Sequence, residues 1–210
     1  MPMSFTHEKV LLMSNRTHLP SITLDRTFEE YPLYYSDKGL YESALTSMVD
    51  VFEQALSQFE VALATRFDLY LPKDHQDAKF CILNDYFEIL KEKLNADSLH
   101  YVWRKREDNR SRHYQVMLFT DYKQQFGEGI YMEKCNEILG HLKTAWGEAI
   151  KKHYQGNERS MVQLNDRGNY SLGTRCKSTD TNIKNSVFKR MSNLAEAWKE
   201  ARYFFGSSLE

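Results

Sequence analysis

The chain has 210 residues, a formal net charge of −1, 41% hydrophobic residues and 13% aromatic ones. That is enough apolar material to build one packed domain, which excludes a disordered or low-complexity protein. A charge so near zero excludes a global basic field, so any contact with nucleic acid has to come from a local patch.

In chain order, residues 1–38 read as an irregular, partly extended N-terminal arm, with Pro2, Pro20 and Pro32 and a tyrosine cluster at Tyr31, Tyr34 and Tyr35. Between Asp25 and Glu60 eight acidic residues stand against Arg26 and Lys38, a segment of −6 that predicts a solvated acidic face. The spacing of Leu45, Met48, Val49, Phe52, Ala55, Leu56 and Phe59 predicts a first helix. A strand follows over 61–71. A second helix runs through Phe80, Leu83, Phe87, Leu90 and Leu94, with Asp74 or Asp77 as its start signal. Strands over 98–106 and 112–119, joined by a short polar turn, predict an antiparallel pair. Cys135, Ile138, Leu139, Leu142, Trp146 and Ala149 give a third helix, and a weak strand falls near 160–173. Val187, Met191, Leu194, Ala195 and Trp198 give a fourth, ended by Gly206.

The order predicts one α+β domain over 39–208: an antiparallel sheet with helices packed on one face. Leu209 and Glu210 read as an expression-vector scar. Cys81, Cys135 and Cys176, an odd number with no CxxC, read as reduced thiols of a cytosolic protein. No apolar run approaches ~20 residues, and Met1 to Ser14 lacks a signal-peptide core, so the expectation is a cytoplasmic protein off the membrane.

The stretch Ser111-Arg-His-Tyr-Gln-Val-Met-Leu-Phe119 carries the chemistry. Alternation puts Tyr114, Val116 and Leu118 on one face of the strand and His113, Gln115 and Met117 on the other. A His-x-His pair there would set two imidazoles roughly 6–7 Å apart, a workable pair of metal ligands. His-x-Gln is poorer, because a neutral amide binds a divalent cation weakly. An even turn sets His113 opposite Arg106 and Gln115 opposite Arg104, and two guanidiniums then repel a cation. A one-residue shift instead sets Glu107 opposite His113 and supplies a ligand; the sequence leaves both registers open. Arg104, Lys105, Arg106, Arg110 and Arg112 against Glu107 and Asp108 make a basic hairpin tip suited to phosphate contact. Tyr101, Trp103 and Tyr114 lie nearby for base stacking if they face outward. The remaining histidines have no ligand spacing, and no P-loop, Rossmann or nucleophile-elbow pattern occurs.

Three segments taken together resemble one family. They are Arg66-Phe-Asp-Leu-Tyr-Leu-Pro72, Tyr101-Val-Trp103 followed by His113-Tyr-Gln-Val116, and Ser192-Asn-Leu-Ala-Glu196 with Phe205-Gly-Ser-Ser208. The resemblance is to the YagK/YfjJ C-terminal group of prophage proteins, associated with the gene-two replication product of filamentous inoviruses. That group is similar to the HUH superfamily of rolling-circle replication initiators. The resemblance implies a metal held on sheet histidines and a helix tyrosine that attacks a DNA phosphodiester. Carried over by position, His113 matches the first histidine, Gln115 stands at the second, Asn193 stands where the tyrosine belongs, and Glu196 replaces a lysine. Tyr203, two helical turns beyond Glu196, is the remaining candidate nucleophile.

The expectation is therefore a mobile-element DNA-binding or regulatory protein on a replication-initiator scaffold whose nicking site is degraded, with DNA (single-stranded or hairpin) as partner and no cofactor. One alternative is a divergent nickase using His113, Gln115, Glu107 and Tyr203 with Mg²⁺ or Mn²⁺. Another is a phage-derived inhibitor that presents Glu29, Glu30 and Glu53 to a host nucleic-acid-handling protein.

Overall fold

The computed structural model describes residues 21–72, 81–107, 112–123, 131–154, 161–173, 177–197 and 204–209. Four two-residue strands come first: β1 (Ile22–Thr23), β2 (Thr27–Phe28), β3 (Tyr31–Pro32) and β4 (Leu40–Tyr41). They pair in two small ladders, β1 with β4 and β2 with β3. Helix α1 (Glu42–Gln58) follows, and its apolar stripe from Leu45 to Ala55 is buried. Phe59 closes it in an extended conformation while its N–H still reaches the Ala55 carbonyl, so the chain passes directly into a strand.

That strand, β5 (Val61–Tyr70), is followed by α2 (Cys81–Lys93), β6 (His100–Glu107), β7 (Arg112–Asp121), α3 (Tyr131–His153), β8 (Met161–Gly173) and α4 (Lys177–Met191). A 3-10 turn over Ser192–Ala195 and a last strand, β9 (Phe204–Ser207), complete the order. The long strands form one five-stranded sheet, β8-β5-β7-β6-β9, antiparallel throughout.

The fold class is the expected α+β, and α2 and α3 share one face of the sheet. Leu63, Phe67, Tyr114, Val116 and Leu118 meet Leu83, Phe87, Leu142 and Trp146 there. The one-face arrangement is incomplete, however. On the opposite face Ala62, Ala64, Met117 and Phe119 pack against α1 and α4, with Tyr31 and Leu33 of the N-terminal segment in the same cluster. The physical reason lies in β5 and β7: eight consecutive residues of each are buried, so both faces need cover. Tyr31 stacks on Phe188 at 4.4 Å between ring centroids, which joins the N-terminal strands to α4.

The strand expected near 160–173 is present over 13 residues, and it skips a partner for Arg66: Thr65 pairs with Asn169 and Phe67 with Leu164. A fourth helix running to Trp198 is not formed. It stops at Met191, and Glu196 makes an isolated bridge with Leu40 while Ala197 N–H bonds the Gly39 carbonyl. The N-terminal segment thus supplies main-chain partners where the helix would have continued. The helical-face relation between Glu196 and Tyr203 falls with it, because Glu196 has extended ψ (128°). Tyr203, Arg110, Asp108, Asp74, Asp77 and Trp198 lie outside the described residues.

Candidate functional site

The β6–β7 register decides what surrounds His113. Arg106 pairs with His113, Arg104 with Gln115 and Glu107 with Arg112. The even-turn register is the one adopted, and Glu107 is not the cross-strand partner of His113. On the other side of β7, Tyr70 pairs with His113 and Asp68 with Gln115. His113 stacks on Tyr70 at 4.9 Å with 26° between the rings. The α1/α4 face of the sheet therefore carries a polar end beyond Met117, made of Arg66, Asp68, Arg104, Arg106, His113 and Gln115.

The end of α4 lies over this patch. A cavity of about 280 Å³ is lined by Tyr34, Arg66, Gln115, Asn165, Arg190 and Asn193. Each element places its residue for a local reason. The bulge in β8 opposite Arg66 directs Asn165 to the cavity, as bulges near functional sites often do. The helix end is held by Arg66, whose Nη1 donates to the Arg190 carbonyl at 3.0 Å, and by Arg104, whose Nη1 donates to the Asn193 carbonyl at 3.4 Å. Arg190 donates to the Tyr170 hydroxyl at 2.6 Å. The Tyr34 N–H donates to Ser192 Oγ at 2.8 Å, which brings the N-terminal segment to the cavity rim.

The electrostatics are those of a buried cationic cluster. Burial lowers the Arg66 pKa to about 10; Asp68 opposes the shift while Arg190, Arg104 and Arg106 add to it. Burial raises the Asp68 carboxyl above its usual value, and the positive charges of His113, Arg66 and Arg106 only partly offset this. Asp68 was not singled out in the sequence. Its Asp-x-Tyr alternation with Tyr70, next to a strand carrying His-x-Gln, is the signal that could have found it.

The donor set suits a divalent cation poorly. Asp68 and His113 are good ligand types and Gln115 is not, while Arg104 and Arg106 stand directly across from Gln115 and His113. Among the described residues no group of three or more His, Cys, Asp or Glu is placed to hold a metal ion.

The remaining candidates divide between surfaces. Arg104 is buried, at 4% exposure, and so is no exposed phosphate contact, while Lys105, Arg106 and Arg112 are partly exposed. Trp103 and Tyr114 face inward and are buried, and Tyr101 stacks on Phe87 at 3.5 Å. None of these rings is turned outward for a base, because α2 and α3 claim that face. Glu196 does not line the cavity; it accepts from the Ser36 hydroxyl at 2.9 Å. On α1, Glu53 accepts from the Tyr31 hydroxyl. Its pKa is raised by burial and then by Glu30 and Glu29, with Lys184 opposing, so the three acidic residues lie close together.

The model of the YagK/YfjJ C-terminal domain matches residues 23–208. The chain belongs to the YagK/YfjJ C-terminal domain family. That span begins within the N-terminal strands, so the strap holding the α4 end is part of the YagK/YfjJ domain. Membership is consistent with a protein associated with mobile elements. No curated protein and no solved structure matches the chain. No described helix is long and apolar enough to cross a membrane.

Proposed function

We propose that this YagK/YfjJ domain is a DNA-binding or regulatory protein of a mobile element, built on a replication-initiator scaffold whose nicking chemistry has been replaced. The observation that carries the reading is that Gln115 and Asn193 line one cavity. These are the two positions where the resemblance expects a metal-binding histidine and a nucleophilic tyrosine. The strand and the end of α4 meet at this cavity, and the residues that meet there are amides. An amide neither holds a divalent ion well nor attacks phosphorus. The guanidiniums of Arg66, Arg106 and Arg190 remain, and they favour an anionic partner such as single-stranded or hairpin DNA.

Binding assays with single-stranded, hairpin and duplex DNA, combined with supercoiled plasmid and Mn²⁺, test this function. The expected result is salt-dependent binding without a covalent adduct. An adduct lost in Tyr203→Phe would replace the reading with a divergent nickase. Absence of binding to every DNA at low salt would replace it with an interaction protein acting on a host nucleic-acid-handling partner. The cluster of Glu29, Glu30 and Glu53 favours that second reading, since carboxylates held together match a basic groove.

A further inference from the structure

We propose that the cavity between the sheet and the end of α4 binds a phosphate monoester, either the phosphorylated end of a nucleic-acid strand or a free nucleotide, with Arg66 as its buried cation. The proposal rests on the DNA reading for the strand-end source alone; the chemistry of the cavity stands without it.

Arg66 is 4% exposed and lines the cavity, and its Nε has no hydrogen-bond partner although its Nη1 is engaged. A buried polar group left unsatisfied is destabilising, more so when charged, and native structures seldom leave one so. Buried charge likewise calls for a counter-charge. Asp68 supplies one negative charge near Arg66, against the positive charges of Arg190, Arg104 and Arg106. An anionic phosphate in the cavity offsets that excess and accepts from Arg66.

The other wall selects phosphate over carboxylate. Gln115 is 7% exposed, and its Oε1 is buried without a partner. A carboxylate offers that oxygen no hydrogen. Orthophosphate does, because its dianion keeps one proton at neutral pH; a monoester does as its monoanion, which ionises near pH 6, or through a sugar hydroxyl next to the phosphate. Asn193 and Arg190 contribute further donor-bearing side chains to the lining. Tyr34, 39% exposed at the same cavity, offers a ring on which a base can stack. The volume of about 280 Å³ falls just below the ordinary range of small-molecule sites, about 300–1,000 Å³, so it suits one nucleotide rather than a length of chain.

The test titrates the full chain with orthophosphate, with thymidine 5′-monophosphate, with acetate, and with two short oligonucleotides identical except for a 5′-phosphate, all at constant ionic strength. Orthophosphate and the mononucleotide should raise Tm where acetate does not. The phosphorylated oligonucleotide should bind at least about tenfold more tightly than its twin. Arg66→Gln should erase both effects. Asn193→Asp, which sets a carboxylate on the cavity wall, should do the same and serves if the Arg66 variant fails to fold. An acetate response equal to that of phosphate overturns the proposal. Equal binding of the twin oligonucleotides with no orthophosphate response overturns it too, and leaves the DNA reading standing. An orthophosphate response without binding of any oligonucleotide supports the cavity, sinks the DNA reading and assigns the ligand to free nucleotides.

Discussion

Arg104 of the sheet reaches across to Asn193 of the turn after α4, its guanidinium donating to the main-chain carbonyl at 3.4 Å. The bond joins a buried side chain to the 3-10 turn beyond the end of the helix. Arg104→Ala should therefore lower stability by about 1–3 kcal/mol, with the Asn193 carbonyl left with only the Glu196 N–H at 3.3 Å. Urea denaturation of the two proteins measures the difference, and a change under about 0.5 kcal/mol, as at an ordinary surface site, would contradict it.

Calorimetry with Mn²⁺ addresses the metal question. Gln115 supplies little affinity, and Arg106 and Arg104 oppose the ion from the neighbouring strand, so no stoichiometric binding is expected at micromolar concentration. A tight site abolished by His113→Ala would point instead to Asp68 as a second strong ligand and revive the nickase.

DNA affinity should fall steeply with salt. Among the described residues Arg106 and Arg112 are the partly exposed guanidiniums of the hairpin, and replacing each with alanine should reduce the salt slope by roughly one unit for every phosphate that the side chain neutralises. Anisotropy titrations at several salt concentrations read this directly. An unchanged slope in the double variant would move the DNA-binding surface away from the hairpin.

His100 gives the protein an acid-sensitive edge. It is 5% exposed, its Nε2 and the Gln58 Oε1 lie 2.6 Å apart, and its Nδ1 is buried without a partner. Burial lowers its pKa below the ordinary 6.5, so the folded state favours the neutral ring. The corresponding stability is present above pH 6.5 and is lost as pH falls through the lowered folded value. His100→Gln should flatten the Tm profile below pH 6.5, and an unchanged slope would refute the assignment.

Gly206 sits against the indole of Trp103. A Cβ there would approach the indole Cε2 to 2.7 Å, and Trp103 is too buried to yield freely. Gly206→Ala should cost about 1–3 kcal/mol by overpacking and loosen β9 from β6, seen as faster amide exchange along Val102 to Lys105.

Much of the fold was legible because periodic stripes survive in single residues. Leu45 to Ala55 in α1 and Tyr114, Val116 and Leu118 in β7 are buried where the spacing placed them. Strand β9 was not legible, because Phe205 and Gly206 carry no alternation over four residues and read as the end of a helix. Nor was the stop at Met191, since the bonds that replace the helix come from Gly39 and Leu40, about 150 positions away in sequence. For the candidate site, His113 and Gln115 announced themselves by strand spacing. Arg66 and Asp68 did not, because a charged pair in a strand reads as solvated unless one knows that both faces are covered.

The bond from Tyr34 to Ser192 spans 158 positions, and the cavity beside it has walls from five separate stretches of chain. Each of those stretches must be in place before the cavity exists, and closing such long loops comes late in folding. The pocket is thus a signature of completed folding. A refolding chain should regain helical circular dichroism before it regains any response to an added ligand, and a cut between Leu24 and Leu33 should abolish that response while leaving the helices largely intact.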